Sequence, residues 1–328
     1  MKGNKTLLIS RHEVQELLTM SEVLKAVENA FILKAQGKAI MPAKIYLTLK
    51  EFGGDFRAMP AYIDGSAGMK WVSVYPNNAK YGLPSVMAAI LYCDPHNAYP
   101  LAIMDGTHIT NMRTGAAGGV AVKHLARKGS SIIGMVGAGE QAITQLMAIK
   151  EVLPTIKEVK VFSRREESRT KFASEMSKKL NLNIRPVDNV EAAADADIIV
   201  TTTFATVPVV FKRHVKPGTH INAIGADAEG KQELEGALTQ ACKIIVDDIE
   251  QASHSGEINV PLHKGEIEQS DIYGTLGEVA AKIKKGREND REITMFDSTG
   301  LAIQDLVCAK IVYEKAKGKK VASFDLLS

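Results

Sequence analysis

An apolar run that ends in closely spaced small residues constrains this chain most. Residues 131–136 read Ser-Ile-Ile-Gly-Met-Val, and Gly137, Gly139 and Ala142 follow them. In a strand–turn–helix unit, the first glycine permits the tight turn, the second lets the backbone approach a pyrophosphate, and the alanine lets the helix pack closely. Free N–H groups at the helix N-terminus favour phosphate. The pattern predicts dinucleotide binding at Gly137 and Gly139, and an ordinary glycine-containing turn is the alternative.

Short β-rich runs alternate with helical stretches from about residue 131 onward. In the helical stretch 165–180, Phe172, Met176 and Leu180 fall on one face at steps of four. Apolar strands separated by helices predict an α/β fold with a doubly wound parallel sheet, the dinucleotide-binding (Rossmann) fold. The predicted strands are 131–136, 158–162, 183–186, 196–203, 220–225, 243–248 and 292–297.

The first part of the chain predicts an α+β domain. Thr19 and Glu22 form a capping box for a helix that ends near Gly37. We expect a helix over 302–317 to pack back on this domain, with no strand after it. The domains are then 1–115 with 305–328, and 116–304, which would bind the dinucleotide. The family resemblance described below assigns substrate binding and dimerisation to the first of them. The β-rich runs are 44–49, 56–59, 68–74, 85–93 and 101–104, the last two as a hairpin of a mainly antiparallel sheet.

Composition narrows the classes of protein to consider. The formal net charge is +3, from 41 basic and 38 acidic residues, and no long basic run suggests a nucleic-acid partner. No apolar stretch approaches the roughly 18 residues of a membrane span. Three scattered cysteines and eight histidines show no metal-binding spacing. We therefore predict a cytoplasmic protein without a metal.

The residues after the second predicted strand of the sheet decide between the two nicotinamide cofactors. NAD-specific sites usually end this strand with Asp or Glu, which accepts from the ribose 2′-hydroxyl. Here the position is Ser163, followed by Arg164 and Arg165, which suit a 2′-phosphate. The sequence therefore favours NADP over NAD, unless both arginines are simply solvated. The strand that ends in three threonines predicts a further cofactor contact at Thr203.

Charged residues in apolar surroundings are the candidates for chemistry. Lys70 lies among apolar and small residues, which indicates partial burial and a lowered pKa, although a solvated lysine is the commoner outcome. Arg113 precedes a run of small residues that suits a helix very close to another backbone or to the cofactor. Asp227 follows a predicted strand end, where it either points into a ligand crevice or caps the next segment.

The ordered set of motifs resembles the ornithine cyclodeaminase/μ-crystallin family of dehydrogenases, and within it the archaeal alanine dehydrogenase branch. The resemblance covers nearly the whole chain, from Met41 to the final helix. No single motif is specific, but their order is. The segments that carry it are 57–61, 68–71, 104–106, 113–117, 137–142, 221–227, 230–234 and 296–301.

The resemblance implies a role for each matching residue. Lys44 and Arg57 would bind the substrate carboxylate, whereas Lys70 and Asp227 would be catalytic. The family forms dimers through the first domain, so we expect a homodimer. The residues at the family's cofactor positions are Arg113, Glu140, Gln141, Ser163, Arg164, Arg165, Ala223, Ile224, Lys231 and Ser298.

Two departures from the family qualify this assignment. Ser163 stands where the archaeal alanine enzyme has aspartate, and Lys44 stands where the cyclodeaminases have arginine. The expected reaction is reversible, NAD(P)-dependent oxidative deamination of L-alanine to pyruvate and ammonia. The alternatives are reduction of a cyclic ketimine, ornithine cyclodeamination, and a nucleotide-binding, crystallin-like protein with little turnover.

Overall fold

The computed structural model describes residues 5–326, which form two compact units. The first unit comprises residues up to Arg113 together with those from Leu301, and the second comprises Thr114–Gly300. The strands are β1 (Thr6–Ile9), β2 (Ala39–Ile40), β3 (Ile45–Leu49), β4 (Gly54–Ile63), β5 (Ser66–Val74), β6 (Val86–Cys93), β7 (Pro100–Asp105), β8 (Ile132–Val136), β9 (Glu158–Phe162), β10 (Ile184–Pro186), β11 (Ile198–Thr201), β12 (His220–Ala223), β13 (Lys243–Val246), β14 (Ile272–Thr275), β15 (Thr294–Asp297) and β16 (Ala322–Phe324).

Eleven α-helices are present in the described residues, and the boundary between the units falls within the third. Short 3-10 turns occur at Lys50–Phe52, Asn78–Tyr81, Lys212–His214 and Gln269–Asp271. The helices are α1 (Arg11–Leu17), α2 (Met20–Ala35), α3 (Gly106–Leu125), α4 (Glu140–Val152), α5 (Glu166–Leu180), α6 (Val190–Ala194), α7 (Gly236–Gln240), α8 (Ile249–Ser255), α9 (Asn259–His263), α10 (Leu276–Ala280) and α11 (Ala302–Ala316).

The first unit is built on an eight-stranded sheet in the order β16-β1-β7-β6-β5-β4-β2, with β3 also paired to β4. All pairs are antiparallel except β1 with β7, and β6 and β7 form the predicted hairpin. The capping box at Thr19 opens α2, and Gly37 follows that helix with φ +71°, as predicted. The sequence pattern and the structure agree on an α+β unit.

Helix α11 packs on this sheet. It contacts α2, β4 and β5, and its buried side chains include Leu306 and Val312. The prediction that no strand follows this helix is wrong, because β16 pairs with β1. Strand β4 also continues through Pro60, where the predicted strand stopped at Met59, because proline usually marks a strand boundary.

The second unit contains an eight-stranded, wholly parallel sheet in the order β10-β9-β8-β11-β12-β15-β13-β14. The first five positions run 3-2-1-4-5 in chain order, which is the dinucleotide-binding arrangement. One face packs on α4 and α5 through Leu146 and Phe172, and the other packs on shorter helices through Leu238 and Ala252. The predicted doubly wound sheet is confirmed, with the addition of β14, which the sequence analysis missed.

The small residues after Arg113 let α3 approach α4 closely. A Cβ atom at Gly115 would collide with the backbone of Thr144, and one at Gly118 would collide with the amide of Gln145. That amide donates to the carbonyl of Thr114 at 2.8 Å. This part of the prediction, a helix very close to another backbone, is confirmed. No helix among residues 5–326 is long and apolar enough to cross a membrane.

Candidate active site

The glycine turn between β8 and α4 has the geometry that the sequence predicts. Gly137 has φ +119°, and its N–H donates to the carbonyl of Phe162 at 2.9 Å. A Cβ atom there would collide with the side chain of Thr202. Gly139 has an ordinary φ of −96°, and a Cβ atom there would meet nothing within 4 Å. The protein's own packing requires glycine at 137 but not at 139, which suits close approach of a ligand at 139.

A cleft of about 940 Å³ opens at the carboxyl ends of β8, β9 and β11. Four predicted cofactor residues besides the glycines line it, namely Ser163, Arg164, Arg165 and Thr203. The two arginines are exposed, and α4 begins at Glu140, beside the glycine turn. Helix N-terminus, glycine turn and exposed cations together fit the phosphates of a dinucleotide.

The other predicted cofactor residues of this unit lie at neighbouring strand ends. Ala223 ends β12, Ile224 follows it, and both are buried. The N–H of Ser298 donates to the carbonyl of Ala223 at 3.0 Å. Gln141 lies in the first turn of α4. These contacts order the strand ends, and the cofactor roles of these residues remain predictions.

Asp227 and Lys231 form an ion pair four residues apart, just beyond β12. The Lys231 ammonium also lies 5.1 Å from the centroid of the Phe204 ring, and Phe204 lines the cleft. Asp227 is 30% exposed, so its carboxylate reaches solvent. The predicted catalytic carboxylate and the predicted cofactor lysine are therefore direct partners at this sheet edge.

In the first unit, one buried carboxylate joins two buried cations. Lys70 Nζ lies 2.7 Å from Asp305 Oδ2, and Arg113 Nε donates to Asp305 Oδ1 at 2.9 Å. Lys70 is 1% exposed and Asp305 is fully buried. Arg113, predicted as a cofactor residue, thus belongs to the cation cluster around Lys70 in this structure, and its contact with a cofactor remains a prediction.

The pKa of Lys70 falls to about 7. Burial is the largest cause, because a charged ammonium loses its hydration, and the charges of Arg113 and Lys44 lower the pKa further. Asp305 raises it, but less than the other effects lower it. The expectation that burial and neighbouring cations bring Lys70 toward neutrality is confirmed, and the solvated alternative is wrong.

Arg57 lies on the same face of the sheet as Lys70, because β4 and β5 pair Arg57 with Val72 and Met59 with Lys70. Its guanidinium holds the Asp55 carboxylate with two hydrogen bonds, of 2.6 and 3.2 Å, and lies 5.1 Å from the Tyr46 ring centroid. This geometry shows that Arg57 grips a carboxylate bidentately in its present rotamer.

Three carboxylates of the two sites were not predicted. Asp55 had a local signal, because residues two apart on a strand share a face. Asp305 had none, since it meets Arg113 across 192 residues of sequence. Glu233 is fully buried and accepts from Thr201 Oγ1 and from the N–H of Gly225, again through tertiary structure alone.

The fold and the cleft define a two-unit α/β protein with a dinucleotide-binding domain. The sequence profile of the ornithine cyclodeaminase/mu-crystallin family matches residues 4–320. The chain belongs to this family, as its motifs predicted.

Several known proteins are similar over nearly the whole chain. An alanine dehydrogenase of Archaeoglobus fulgidus is 50% identical over 320 residues, covering 97% of this chain and 98% of that protein. A solved structure of an archaeal alanine dehydrogenase dimer with bound NAD has a TM-score of 0.95 at 49% identity, covering 98% and 100%. The Δ1-pyrroline-2-carboxylate reductase of Thermococcus litoralis, solved with NADH and L-proline, has a TM-score of 0.94 at 42% identity, covering 98% and 100%.

Proposed function

We propose that this protein is an NAD(P)-dependent amino-acid dehydrogenase that oxidises L-alanine reversibly to pyruvate and ammonia. The observation that carries the proposal is Lys70, a buried lysine with a pKa of about 7, set among cations that suit an α-carboxylate. The 50% identity to the Archaeoglobus alanine dehydrogenase supports it independently. In this proposal the first unit binds substrate and the second binds the dinucleotide.

Arg57 and Lys44 are the proposed carboxylate-binding residues. Asp55 accepts two hydrogen bonds from Nε and Nη2 of Arg57, which fixes the orientation of the guanidinium that would bind the substrate carboxylate. Lys44 is half-buried, and its charge lowers the pKa of Lys70. Fixing the carboxylate at two points orients the α-carbon, which is most of what the protein must supply.

Lys70 is the proposed proton donor and acceptor. With a pKa near 7 it is present in both protonation states at neutral pH, where general acid–base catalysis is efficient. Asp305 fixes the Lys70 ammonium at 2.7 Å. Asp227 is the other proposed catalytic residue. It would bind the substrate nitrogen or relay a proton from water. The nicotinamide, when bound, supplies the hydride acceptor of the reaction.

The cofactor residues of the proposal are those of the cleft and the strand ends beside it, with NADP preferred over NAD. Ser163 offers no carboxylate to a ribose 2′-hydroxyl, and the exposed Arg164 and Arg165 offer cations to a 2′-phosphate. The solved relatives carry NAD and NADH, so this preference would distinguish the chain from them.

We expect kcat/KM for alanine oxidation to rise with pH and level off above a midpoint near 7. Oxidation requires the neutral, proton-accepting form of Lys70, and this form predominates above its pKa of about 7. Pyruvate amination requires the protonated form and should decline through the same range. Initial rates between pH 5.5 and 9, with saturating cofactor, measure both profiles.

A matched pair of variants tests whether this midpoint belongs to Lys70. Asp305→Asn should move it to lower pH, because the Asp305 charge raises the pKa of Lys70. Asp64→Asn removes a surface carboxylate that pairs with Lys310, on the same helix as Asp305, and should leave the midpoint unchanged. Lys44→Met should move it upward, which provides a second reading if Asp305→Asn folds poorly. If neither Asp305→Asn nor Lys44→Met moved the midpoint, the group that titrates would not be Lys70.

A homodimer formed through the first unit completes the proposal. Strand register places Leu8, Ile45, Leu47, Trp71 and Ile103 on one sheet face, and all five are exposed. Helix α11 packs on the opposite face, which holds Lys70. Several exposed apolar side chains on one sheet face are typical of a protein interface. Sedimentation equilibrium should give twice the mass of the 35.5 kDa chain.

The three cysteines are free thiols, which suits the proposed cytoplasmic location.

One assay tests the reaction. NADPH and NADH consumption is followed with pyruvate alone, pyruvate plus ammonia, and a cyclic ketimine. Turnover that requires both pyruvate and ammonia is the expected result. Turnover with the cyclic ketimine alone would favour the second candidate, a ketimine reductase like the Thermococcus relative. Proline release from ornithine would indicate a cyclodeaminase, and dinucleotide binding without any turnover would leave only a nucleotide-binding protein.

A further inference from the structure

The segment that follows β12 carries Asp227 and Lys231 and returns to the sheet at Glu233. Glu233 is fully buried, and its carboxylate accepts three hydrogen bonds from two neighbouring strand ends. Thr203 N–H donates to Oε1 at 2.6 Å, Gly225 N–H donates to Oε2 at 2.8 Å, and the Thr201 hydroxyl donates to Oε2 at 2.6 Å. One side chain therefore joins the residues at the end of β11 to Gly225, which follows β12 and lies two residues before Asp227.

The connection between α8 and α9, together with the start of α9, holds the same segment from its other side. Glu257 is fully buried and accepts from the N–H groups of Glu233 and Leu234 at 2.9 and 2.7 Å. Asn259 accepts from Gly230 N–H and donates to the carbonyl of Lys231, both at 3.0 Å. The backbone of residues 230–234 is thus fixed at four points by buried side chains.

The backbone of Gly225 packs closely against the Glu233 carboxylate. A Cβ atom at Gly225 would lie 2.6 Å from Glu233 Oε2 and would collide with the carbonyl of Thr203. Burial raises the pKa of Glu233 and is also the largest cause of the raised pKa of Glu257, which the neighbouring charge of Glu233 raises further. Such a tightly held, desolvated carboxylate costs folding free energy that an apolar side chain would not. This cost suggests a role in the site.

We propose that Glu233 is a positioning residue that sets the placement of Asp227 and of the Thr203 strand end for catalysis. The inference rests on the proposed function, in which Asp227 is catalytic and Thr203 contacts the cofactor. Glu233 touches neither substrate nor cofactor in this scheme. It acts through the backbone on both sides of the Asp227 segment, which its three hydrogen bonds hold in register.

The substitution Glu233→Gln removes this function with the smallest change in shape. A glutamine side chain has one acceptor oxygen, so it can accept a hydrogen bond from Thr203 N–H or from Gly225 N–H, but not from both. Its NH2 group then faces a backbone donor, and one of the two strand ends must shift. Glu235→Gln is the matched control, because Glu235 makes the same charge change at the surface, where it accepts from Lys212 N–H.

We expect Glu233→Gln to lower kcat for the parent's best substrate by about 10- to 100-fold, since a displacement of about 1 Å at a catalytic group costs about 100-fold. Glu235→Gln should stay within about twofold of the parent. Thr201→Val removes only the hydroxyl donor to Glu233 and should lower kcat by a few-fold, which keeps the test available if Glu233→Gln folds poorly. Equal kcat values for parent, Glu233→Gln and Thr201→Val would overturn the proposal.

A double-mutant cycle separates positioning from general stability. In an Asp227→Asn background, Glu233→Gln should lower kcat at saturating cofactor by less than about threefold further, because the catalytic group that it positions is already lost. Its effect through Thr203 should persist there as weaker dinucleotide binding. A full effect in both backgrounds, together with a lower Tm, would show a structural role instead. Failure of the proposed function is a separate result, since the parent itself would then show no turnover with alanine, whereas failure of this inference requires an active parent.

Discussion

Lys70→Met should abolish turnover and leave dinucleotide binding nearly intact. General acid–base groups contribute about 100- to 10,000-fold in rate, and kcat should fall by that factor. The substitution should not unfold the protein, because Asp305 keeps its hydrogen bond to Arg113 at 2.9 Å when the lysine is removed. Steady-state rates, with fluorescence titration of NADPH and NADH, measure the two effects separately.

Lys310→Met is the control for this experiment. Lys310 lies on the same helix as Asp305, but it pairs with Asp64 at the surface and is 39% exposed. Its replacement should leave both kcat and dinucleotide affinity within about twofold of the parent. A Lys70→Met variant that retains activity within a few-fold would exclude acid–base catalysis by this lysine. Weaker dinucleotide binding with unchanged kcat would show that Lys70 belongs to the cofactor site and that its catalytic assignment is wrong.

Replacing Ser163 with Asp and Arg164 with Ser should reverse the cofactor preference. In the parent, NADPH should bind about 10- to 100-fold more tightly than NADH, because hydrogen bonds to charged groups contribute about 1.5–3 kcal/mol. The double variant provides a carboxylate for the 2′-hydroxyl and removes one cation. The preference of the parent should also shrink at high salt, since screening weakens exposed charge pairs.

Parallel titrations of both proteins with both nucleotides measure this reversal. Arg185→Ser is the matched control: Arg185 is exposed on β10 and pairs with Glu158 at the opposite end of β9 from Ser163. It should leave the ratio of affinities unchanged. Tighter binding of NADH by the parent, or equal affinities, would contradict the NADP assignment without affecting the fold.

The fold of the second unit was predictable because buried parallel strands are continuous apolar runs. The predicted strand over 158–162 coincides with β9, and the others agree within two residues at each end. Strand β14 was missed because it has four residues and contains Gly274, so it lacks a long apolar run. Strand β16 was missed because a short edge strand carries little hydrophobic pattern. Strand β1, which lies between β16 and β7, was missed because it has only four residues.

The site was predictable where its residues carried local signals and unpredictable where tertiary structure alone assembles it. Gly137 and Ser163 stand at strand ends that the sequence already marks. Lys70 was marked by its apolar neighbours, but its pKa of about 7 depends on contacts that the sequence does not show. Asp305 lies on a segment with no such mark, and it meets Arg113 across 192 residues of sequence. Glu233 lies in a segment that carries the family resemblance, but its role was not predicted, because its contact with Thr203 forms only in the folded chain.

The pairing of Lys70 with Asp305 has a consequence for biosynthesis. Residues up to 300 leave the ribosome before the helix that carries Asp305, so the nascent chain contains Lys44, Lys70 and Arg113 without the carboxylate that joins two of them. Until α11 is synthesised, the charges of Lys44 and Arg113 act on Lys70 without the opposing charge of Asp305. A helix synthesised after the whole dinucleotide-binding domain therefore supplies the carboxylate that pairs with Lys70 and Arg113. We expect a chain truncated before Ala302 to be inactive, however well its dinucleotide-binding domain folds.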